Sequence, residues 1–388
     1  MHKRKMICML MITTILITGC WDKVEIDKRA FVLLVGVDKF EQNEEDGKIN
    51  KNENSEEIPP NRYRVTFAYP NTGVFAGKGE GDPKFSYTSV GVNIDDTIEN
   101  LGTRMDKTLF YRHTKAIILG KDVAKDERLL REMLDVIERS PQVGRKVHLL
   151  VAKEKAQDII RTEAKSEPVL GLYIRELMEQ RMRTAKMVDA DLGYILRSLH
   201  ESHAAIIPII SSSKDEFKIV GMGILKGFKM VGELSGVDAK NIMFMFDKVK
   251  RSILNVKVDD LIVALDLTEV KTKKRVYEKN GHIYTSFHIE TEGNLEQHLF
   301  EVKAQPLDNQ YIQKIEKVAE KYLEEQIKTT YKKIQKDFGA DLIQAGEYLR
   351  KYEPDVWKEV KDDWAEIYPK TKVEVHAEIK IRRIGVTQ

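Results

Sequence analysis

The run Phe31-Val32-Leu33-Leu34-Val35-Gly36-Val37 is apolar at every position. An unbroken apolar run of this length is typical of a strand that is buried on both faces, as in a sheet with helices on either side. A second strand is predicted at 63–69, where apolar or aromatic side chains recur at every second position. The segment 41–60 between them is rich in Glu, Asn, Lys and Asp, which predicts a mobile loop. The sheet of the first domain therefore starts with this run.

Helical and strand patterns alternate after these two strands. Helical spacing of apolar residues, or a short apolar strand, recurs at 94–105, 116–119, 129–137, 147–152 and 156–160. Such alternation predicts an α/β domain. Helical spacing then continues as one helix over 172–199, and the run Ser211-Ser212-Ser213 is a candidate domain boundary. We therefore expect residues 20–200 to form an N-terminal α/β domain with a helical extension.

The second half of the chain has a different pattern. Strands are predicted at 217–225, 227–231, 254–258, 261–267 and 283–289. One long helix follows over 312–338, and Gly339 is a natural residue to end it. Apolar and polar residues alternate cleanly over 373–381, which predicts a half-buried final strand. Residues 215–388 are therefore predicted to form an α+β domain with a mostly antiparallel sheet and one long helix, and a further division near residue 300 stays open.

The amino terminus predicts export. Lys3-Arg4-Lys5 precedes an apolar segment over 6–17, which is shorter than the roughly 20 residues that span a bilayer. Thr18 and Gly19 are small enough to lie beside a peptidase cleavage site, and the Cys20 sulfur can carry a diacylglycerol with fatty acyl chains such as palmitate. The pattern resembles the bacterial lipobox. It predicts a signal peptide over 1–19 and a lipidated Cys20; the alternatives are a plain cleaved signal and an uncleaved anchor.

Cysteine and charge usage narrow the function classes. Cys8 lies in the predicted signal, so the mature chain keeps only Cys20 and forms no internal disulfide or thiolate metal site. The chain has 64 basic and 62 acidic residues, and removal of the three signal cations leaves 61 basic residues. Nucleic acid binds through clustered basic charge, so this even mixture argues against a nucleic-acid partner.

No catalytic or cofactor-binding motif is visible in the sequence. His200 and His203 are three residues apart, whereas a helical zinc protease motif needs a spacing of four. Acidic pairs such as Asp95-Asp96 are explained by turns and helix starts, and no nucleophile motif occurs. We therefore expect no enzyme activity, no metal and no cofactor.

Trp357 and Trp364 are seven residues apart, which predicts that they share one face of a helix. Core packing is the default interpretation of such a pair. A partner contact is the alternative, because tryptophan is enriched where interfaces bind most strongly.

Several stretches resemble the Ger(x)C family of spore germination lipoproteins, the C subunits of nutrient germinant receptors. The resemblance covers nearly the whole mature chain. It is carried by Gly19-Cys20-Trp21-Asp22 with Glu25-Ile26, by RHTKAIILG at 112–120, by GILKGFKMVGEL at 223–234, by Phe338-Gly339-Ala340-Asp341, by Trp357-Lys358 and Trp364, and by Lys380-Ile381-Arg382-Arg383-Ile384-Gly385.

The resemblance implies a lipid-anchored, non-enzymatic protein on the outer face of the inner spore membrane. It would act beside a polytopic subunit and a permease-like subunit of the same receptor. The main alternative is a solute-binding lipoprotein of an importer, which usually has two similar α/β lobes around a cleft. A surface hydrolase is a third interpretation, and it would need a nucleophile or metal cluster that the sequence does not offer.

Overall fold

The computed structural model describes residues 25–41, 60–77, 80–164, 167–180, 188, 190–213, 216–297 and 309–384. The predicted signal peptide, Cys20 and most of the predicted loop at 41–60 lie outside the described residues. The strands are β1 Arg29–Phe31, β2 Leu34–Lys39, β3 Tyr63–Pro70, β4 Lys84–Gly91, β5 Thr108–Phe110, β6 Ala116–Leu119, β7 His148–Ala152, β8 Ala204–Ser213, β9 Glu216–Lys226, β10 Lys229–Leu234, β11 Arg251–Val258, β12 Leu261–Lys279, β13 His282–Gln297 and β14 Lys372–Ile384.

Twelve α-helices lie in the described part of the chain. They are α1 Thr72–Phe75, α2 Ile94–Gly102, α3 Lys121–Lys125, α4 Glu127–Arg139, α5 Ala156–Arg161, α6 Leu170–Glu179, α7 Leu192–Ser202, α8 Gly236–Met245, α9 Asn309–Lys332, α10 Ala345–Tyr352, α11 Pro354–Val360 and α12 Trp364–Ile367. None of the helices in these described ranges has the length and apolar character needed to cross a membrane.

The first sheet has eight strands in the order β10-β9-β8-β7-β6-β2-β3-β4. Its centre is parallel, from β2 through β6 and β7 to β8, and its outer strands are antiparallel. Separate apolar clusters cover the two faces, with α4 and α7 on one side and α5 and α6 on the other. The mixed α/β and α+β class predicted from the sequence is confirmed.

The apolar run at 31–37 forms two strands instead of the single one predicted. Phe31 ends β1, which pairs with β5 in a separate two-stranded sheet. The Val32 N–H donates to Phe110, whereas the Leu33 N–H donates to Ala68 of β3, so the chain changes partners between these two residues. Val32 and Leu34 are nevertheless fully buried. The pattern predicted burial correctly and could not show the change of partner.

The serine run at 211–213 is not the end of the first sheet. It closes β8, and β9 and β10 continue the same sheet by antiparallel pairing. The next sheet begins only after Leu234, with β11. The two strands predicted at 217–231 are therefore present, but they belong to the first sheet and not to the second.

The single helix predicted over 172–199 is also corrected. The structure has α6 and α7 there, with Ala190 and Asp191 in non-helical conformation before α7. The Asp191 side chain accepts a hydrogen bond from the Tyr194 N–H at 2.7 Å and so caps the start of α7. A helix cap of this kind begins a new helix and does not continue an old one.

The second sheet has four strands in the order β11-β12-β13-β14. It is antiparallel except for the last pair, in which β14 runs parallel to β13. The predicted long helix is α9, extended by one π-helical turn at Lys333–Asp337, and it packs across the sheet. Gly339 follows with a φ of +56°, and its N–H donates to the Gln335 carbonyl, as expected at a helix end.

Candidate functional site

A cleft of about 600 Å³ lies where the first sheet meets the C-terminal helices. One wall consists of the end of α7, with His200 and His203, and of Lys226 at the end of β9 in the first sheet. The loop after Gly339 and helices α10 to α12 form the opposite wall. Both predicted tryptophans, Trp357 and Trp364, line this cleft.

Two stretches that carried the family resemblance meet beside the cleft. Phe338 packs onto Gly232 of β10 so closely that a Cβ at Gly232 would lie 2.0 Å from the Phe338 ring. The Lys226 ammonium donates to the Phe338 carbonyl at 3.4 Å. The 223–234 hairpin and the Phe338-Gly339-Ala340-Asp341 loop therefore form one contact between the first sheet and the second half of the chain.

Asp341 organises the C-terminal wall. Its carboxylate accepts hydrogen bonds from the N–H groups of Ala345 at 2.8 Å and Gly346 at 2.9 Å, which begin α10. It also accepts from Trp364 Nε1 at 3.1 Å. Burial raises the pKa of Asp341, and these three donors together with the nearby Lys274 ammonium oppose that rise. Asp341 thus fixes both the start of α10 and the position of Trp364.

The tryptophan pair is brought together, but not on one helical face as the spacing predicted. Trp357 belongs to α11 and Trp364 to α12, and a turn at 361–363 separates them. Their ring centroids are 5.7 Å apart at an angle of 70°, an edge-to-face contact. Both rings lie against Gly346, where a Cβ would be 2.8 Å from Trp364 and 3.1 Å from Trp357. A glycine at 346 allows this close packing.

The tryptophans both pack and line the cleft. Each is half-buried and contacts the apolar core that α9 forms with the second sheet, and the Trp364 ring also lies 5.8 Å from the buried Tyr368 ring. Their remaining surface faces the cleft. The structure thus supports the packing interpretation and leaves aromatic surface available for a partner.

The rim of the cleft carries charges of both signs. Glu347 pairs with Arg350 at 2.6 Å and with Lys351 at 3.0 Å. The Arg350 hydrogen bonds and then the Lys351 ammonium lower the pKa of Glu347 to about 2, so it is ionised at neutral pH. Lys361 and Asp362 are exposed nearby. Such a rim suits a polar protein surface better than a single small ion.

The histidines of the cleft do not form a metal cluster. His200 lies 3.5 Å from Glu138 on the surface, and His203 has a φ of +52° and ends α7. Within the described ranges no three His, Cys, Asp or Glu side chains converge as metal ligands. Asp96, from the acidic pairs, accepts a hydrogen bond from the Val92 N–H at 2.8 Å beside the start of α2.

Sequence reasoning did not identify Asp341, Gly346 or Lys226 as site residues. Asp341 lies in a family-like stretch, but it is three residues before the N-cap position, Gln344, where a helix-start signal would be sought. Nothing in the local sequence indicates that Lys226 contacts a loop more than one hundred residues away.

Two family models match the chain consecutively. One, described as "Spore germination protein N-terminal domain", matches residues 22–212, and the other, described as "Spore germination B3/GerAC like, C-terminal", matches residues 220–385. The first model ends at the serine run, although the hydrogen-bonded sheet continues to Leu234.

Relatives with curated names match along nearly their whole length. Spore germination protein YndF of Bacillus subtilis (strain 168) is 23% identical over 396 residues, covering 98% of this chain and 96% of the relative. Spore germination protein KC of the same organism is 24% identical, with 97% and 95% coverage. Spore germination protein A3 of that strain is 22% identical, with 99% and 98% coverage.

A solved structure has the same fold. The crystal structure of the GerBC protein aligns with a TM-score of 0.59 at 20% identity, covering 82% of this chain and 93% of that one. Because the family models cover both halves of the sequence in order, the chain belongs to the Ger(x)C family of spore germination proteins.

Proposed function

We propose that this protein is a lipid-anchored, non-enzymatic subunit of a membrane germinant receptor, needed for nutrient-triggered spore germination. It works at the outer face of the inner spore membrane, beside a polytopic subunit and a permease-like subunit. The observation that carries the proposal is the consecutive match of the two spore germination family models. The match begins at residue 22, two residues after the proposed lipidation site at Cys20.

The anchor gives the proposal its physical basis. Burial of acyl chains contributes about 0.8 kcal/mol per CH₂, and two or more chains hold a protein firmly at a bilayer. A protein confined beside its partners meets them at a high effective concentration. A modest docking surface is then sufficient for assembly.

The cleft between the first sheet and the C-terminal helices is the docking surface that we propose. Its half-buried tryptophans supply rigid aromatic contact area, and its mixed-charge rim supplies hydrogen bonds and ion pairs. The cleft wall is fixed by Asp341, and the contact of Phe338 with Gly232 joins it to the first sheet. A subunit that docks here would contact both halves of the protein at once.

The solute-binding alternative fits less well. Such proteins usually have two similar α/β lobes, whereas this chain has an eight-stranded mixed sheet followed by a four-stranded sheet crossed by one long helix. No specific observation favours that alternative.

The test is a mild-detergent pull-down of the tagged protein from dormant spore membranes, with Cys20→Ala as the variant. The unchanged protein should recover a polytopic and a permease-like subunit. The Cys20→Ala protein should be lost from the membrane, and spores that carry it should germinate poorly. Cys8→Ala is the matched control, because this cysteine lies in the proposed signal and its loss leaves the lipobox intact. Recovery of an importer permease with its ATPase, or normal function of Cys20→Ala, would overturn the proposal.

A further inference from the structure

We propose that the first domain binds a small amphiphilic cation in an apolar cavity between α2 and α4. The ligand class is a protonated primary amine that carries one aromatic ring or a branched alkyl chain. Tyr111 would accept its hydrogen bond and Asp95 would balance its charge. This site is separate from the cleft at the tryptophans, because the two share no lining residue.

The cavity has a volume of about 350 Å³ and reaches the first sheet. Its floor consists of Val37, Val65 and Phe67, none of which is more than 2% exposed. Its walls are Ile98 of α2 and Met133 of α4. Small-molecule sites have this character, a mostly apolar concave surface of about 300–1,000 Å³ with a few polar groups.

One polar group inside the cavity has no partner. The Tyr111 hydroxyl is buried and makes no hydrogen bond to any described residue, while its ring packs 6.0 Å from that of Phe67. A buried hydroxyl without a partner costs about 1–3 kcal/mol, so such groups usually bind a water or a ligand. Tyr111 is therefore the group that a ligand in this cavity would satisfy.

The charge at the mouth favours a cation. Asp95 is exposed in the first turn of α2 and forms no ion pair with a described basic residue. The other carboxylate at the mouth, Asp135, is already paired with Arg139 at 2.9 Å. One negative charge is thus left unbalanced. Burial raises the pKa of Tyr111 and Asp95 raises it further, so the hydroxyl remains neutral and able to accept from an ammonium.

The volume sets the size of the apolar part. An apolar cavity of about 150 Å³ holds a benzene molecule. A cavity of about 350 Å³ therefore accommodates one ring with a short side chain.

The test measures binding of 2-phenylethylamine to the purified mature chain carrying Cys20→Ala. Calorimetry and saturation-transfer NMR are the two methods. We expect saturable binding, weaker binding of the neutral 2-phenylethanol and weaker binding still of phenylacetate. Tyr111→Phe should weaken binding of the amine about five- to tenfold, as one lost hydrogen bond predicts. Ile98→Trp should abolish binding by filling the cavity.

Tyr322→Phe is the matched control, because this tyrosine is exposed on α9 far from the cavity lining, and it should bind as the unchanged protein does. Circular dichroism checks that each variant is folded, and Tyr111→Phe keeps the ring that packs on Phe67. Absence of saturable binding to the folded protein would overturn the proposal. So would phenylacetate binding as tightly as the amine, or equal binding by Tyr111→Phe.

Discussion

The side chain of Glu320 accepts a hydrogen bond from the backbone N–H of Ile379 at 3.0 Å. Glu320 is on α9, and Ile379 is on β14, the edge strand of the second sheet. The same bond recurs one helical turn away in each direction, from the N–H of Ala377 to Glu324 at 3.0 Å and from the N–H of Ile381 to Glu316 at 2.9 Å.

Helix and strand geometry explain the repeat. Four helical residues advance about 6 Å, and two strand residues advance about 6.6 Å, so the glutamates and the N–H groups stay in step over three pairs. An edge strand otherwise presents unpaired N–H groups that can recruit another chain. The glutamates of α9 therefore close this edge of the sheet.

Replacement of Glu320 by Ala should destabilise the second sheet. The variant leaves the Ile379 N–H without its acceptor, which costs about 1–3 kcal/mol where water cannot replace it. A lower urea midpoint is the expected measurement. Glu325→Ala on the exposed face of the same helix should leave the midpoint nearly unchanged. Equal midpoints for both variants would show that the hydrogen bonds from these glutamates contribute nothing to the stability of the sheet.

Replacement of Gly232 by Ala should loosen the contact between the first sheet and the C-terminal loop. The new Cβ would lie 2.0 Å from the Phe338 ring, so the ring must move, and overpacking of this kind costs about 1–3 kcal/mol. Faster proteolysis and a lower melting temperature are expected. Gly236→Ala is the control, because a Cβ there meets nothing within 4 Å. If Gly232→Ala behaves like that control, the contact is not tight in solution.

The sequence predicted elements whose patterns are local. The alternation at 373–381 and the helical spacing of α9 are properties of single segments, and both elements are present. It did not predict that β14 runs parallel to β13, since strand direction depends on where the chain returns. The break at Val32–Leu33 was missed for a similar reason: hydrogen-bond partners at Phe110 and Ala68 cause it, and both are distant in sequence.

The candidate site, too, was predicted only as far as local residue patterns reach. Trp357 and Trp364 were selected by residue type, and the structure brings them into contact in the cleft. Their spacing suggested one helix, because a seven-residue interval cannot reveal the turn between α11 and α12. Asp341 acts through backbone N–H groups and an indole across the loop, and no periodic pattern reports such a role.

Acid should weaken the C-terminal helices partly through Glu347. Its folded pKa of about 2 lies below the ordinary value of 4.5, so its stabilising contribution is complete above about pH 4.5. The contribution is lost as the pH falls from 4.5 towards 2, because protonation breaks the pairs with Arg350 and Lys351. Glu347→Gln should lower the urea midpoint at pH 6, and the difference from the unchanged protein should shrink at pH 3. A difference that stays constant with pH would contradict this assignment.

Replacement of Trp357 by Ala is the most informative test of the docking cleft. Trp364→Ala would also remove one of the three hydrogen-bond donors to the buried Asp341 carboxylate, so loss of function could reflect misfolding. Trp357 makes no such bond in the described structure, so its removal should cost packing energy of about 2–4 kcal/mol without depriving a buried charge of a donor. We expect Trp357→Ala to remain folded and membrane-bound, yet to recover far less of the polytopic subunit in the pull-down.

Tyr352→Ala supplies the matched control for this experiment. Tyr352 ends α10, is 66% exposed and does not line the cleft. Its loss removes a comparable aromatic surface from the same group of helices, so a general effect of surface aromatics would appear in both variants. Normal recovery with Tyr352→Ala and poor recovery with Trp357→Ala would localise docking to the cleft. Equal recovery with both would mean that Trp357 serves packing alone and that the partners dock elsewhere on the protein.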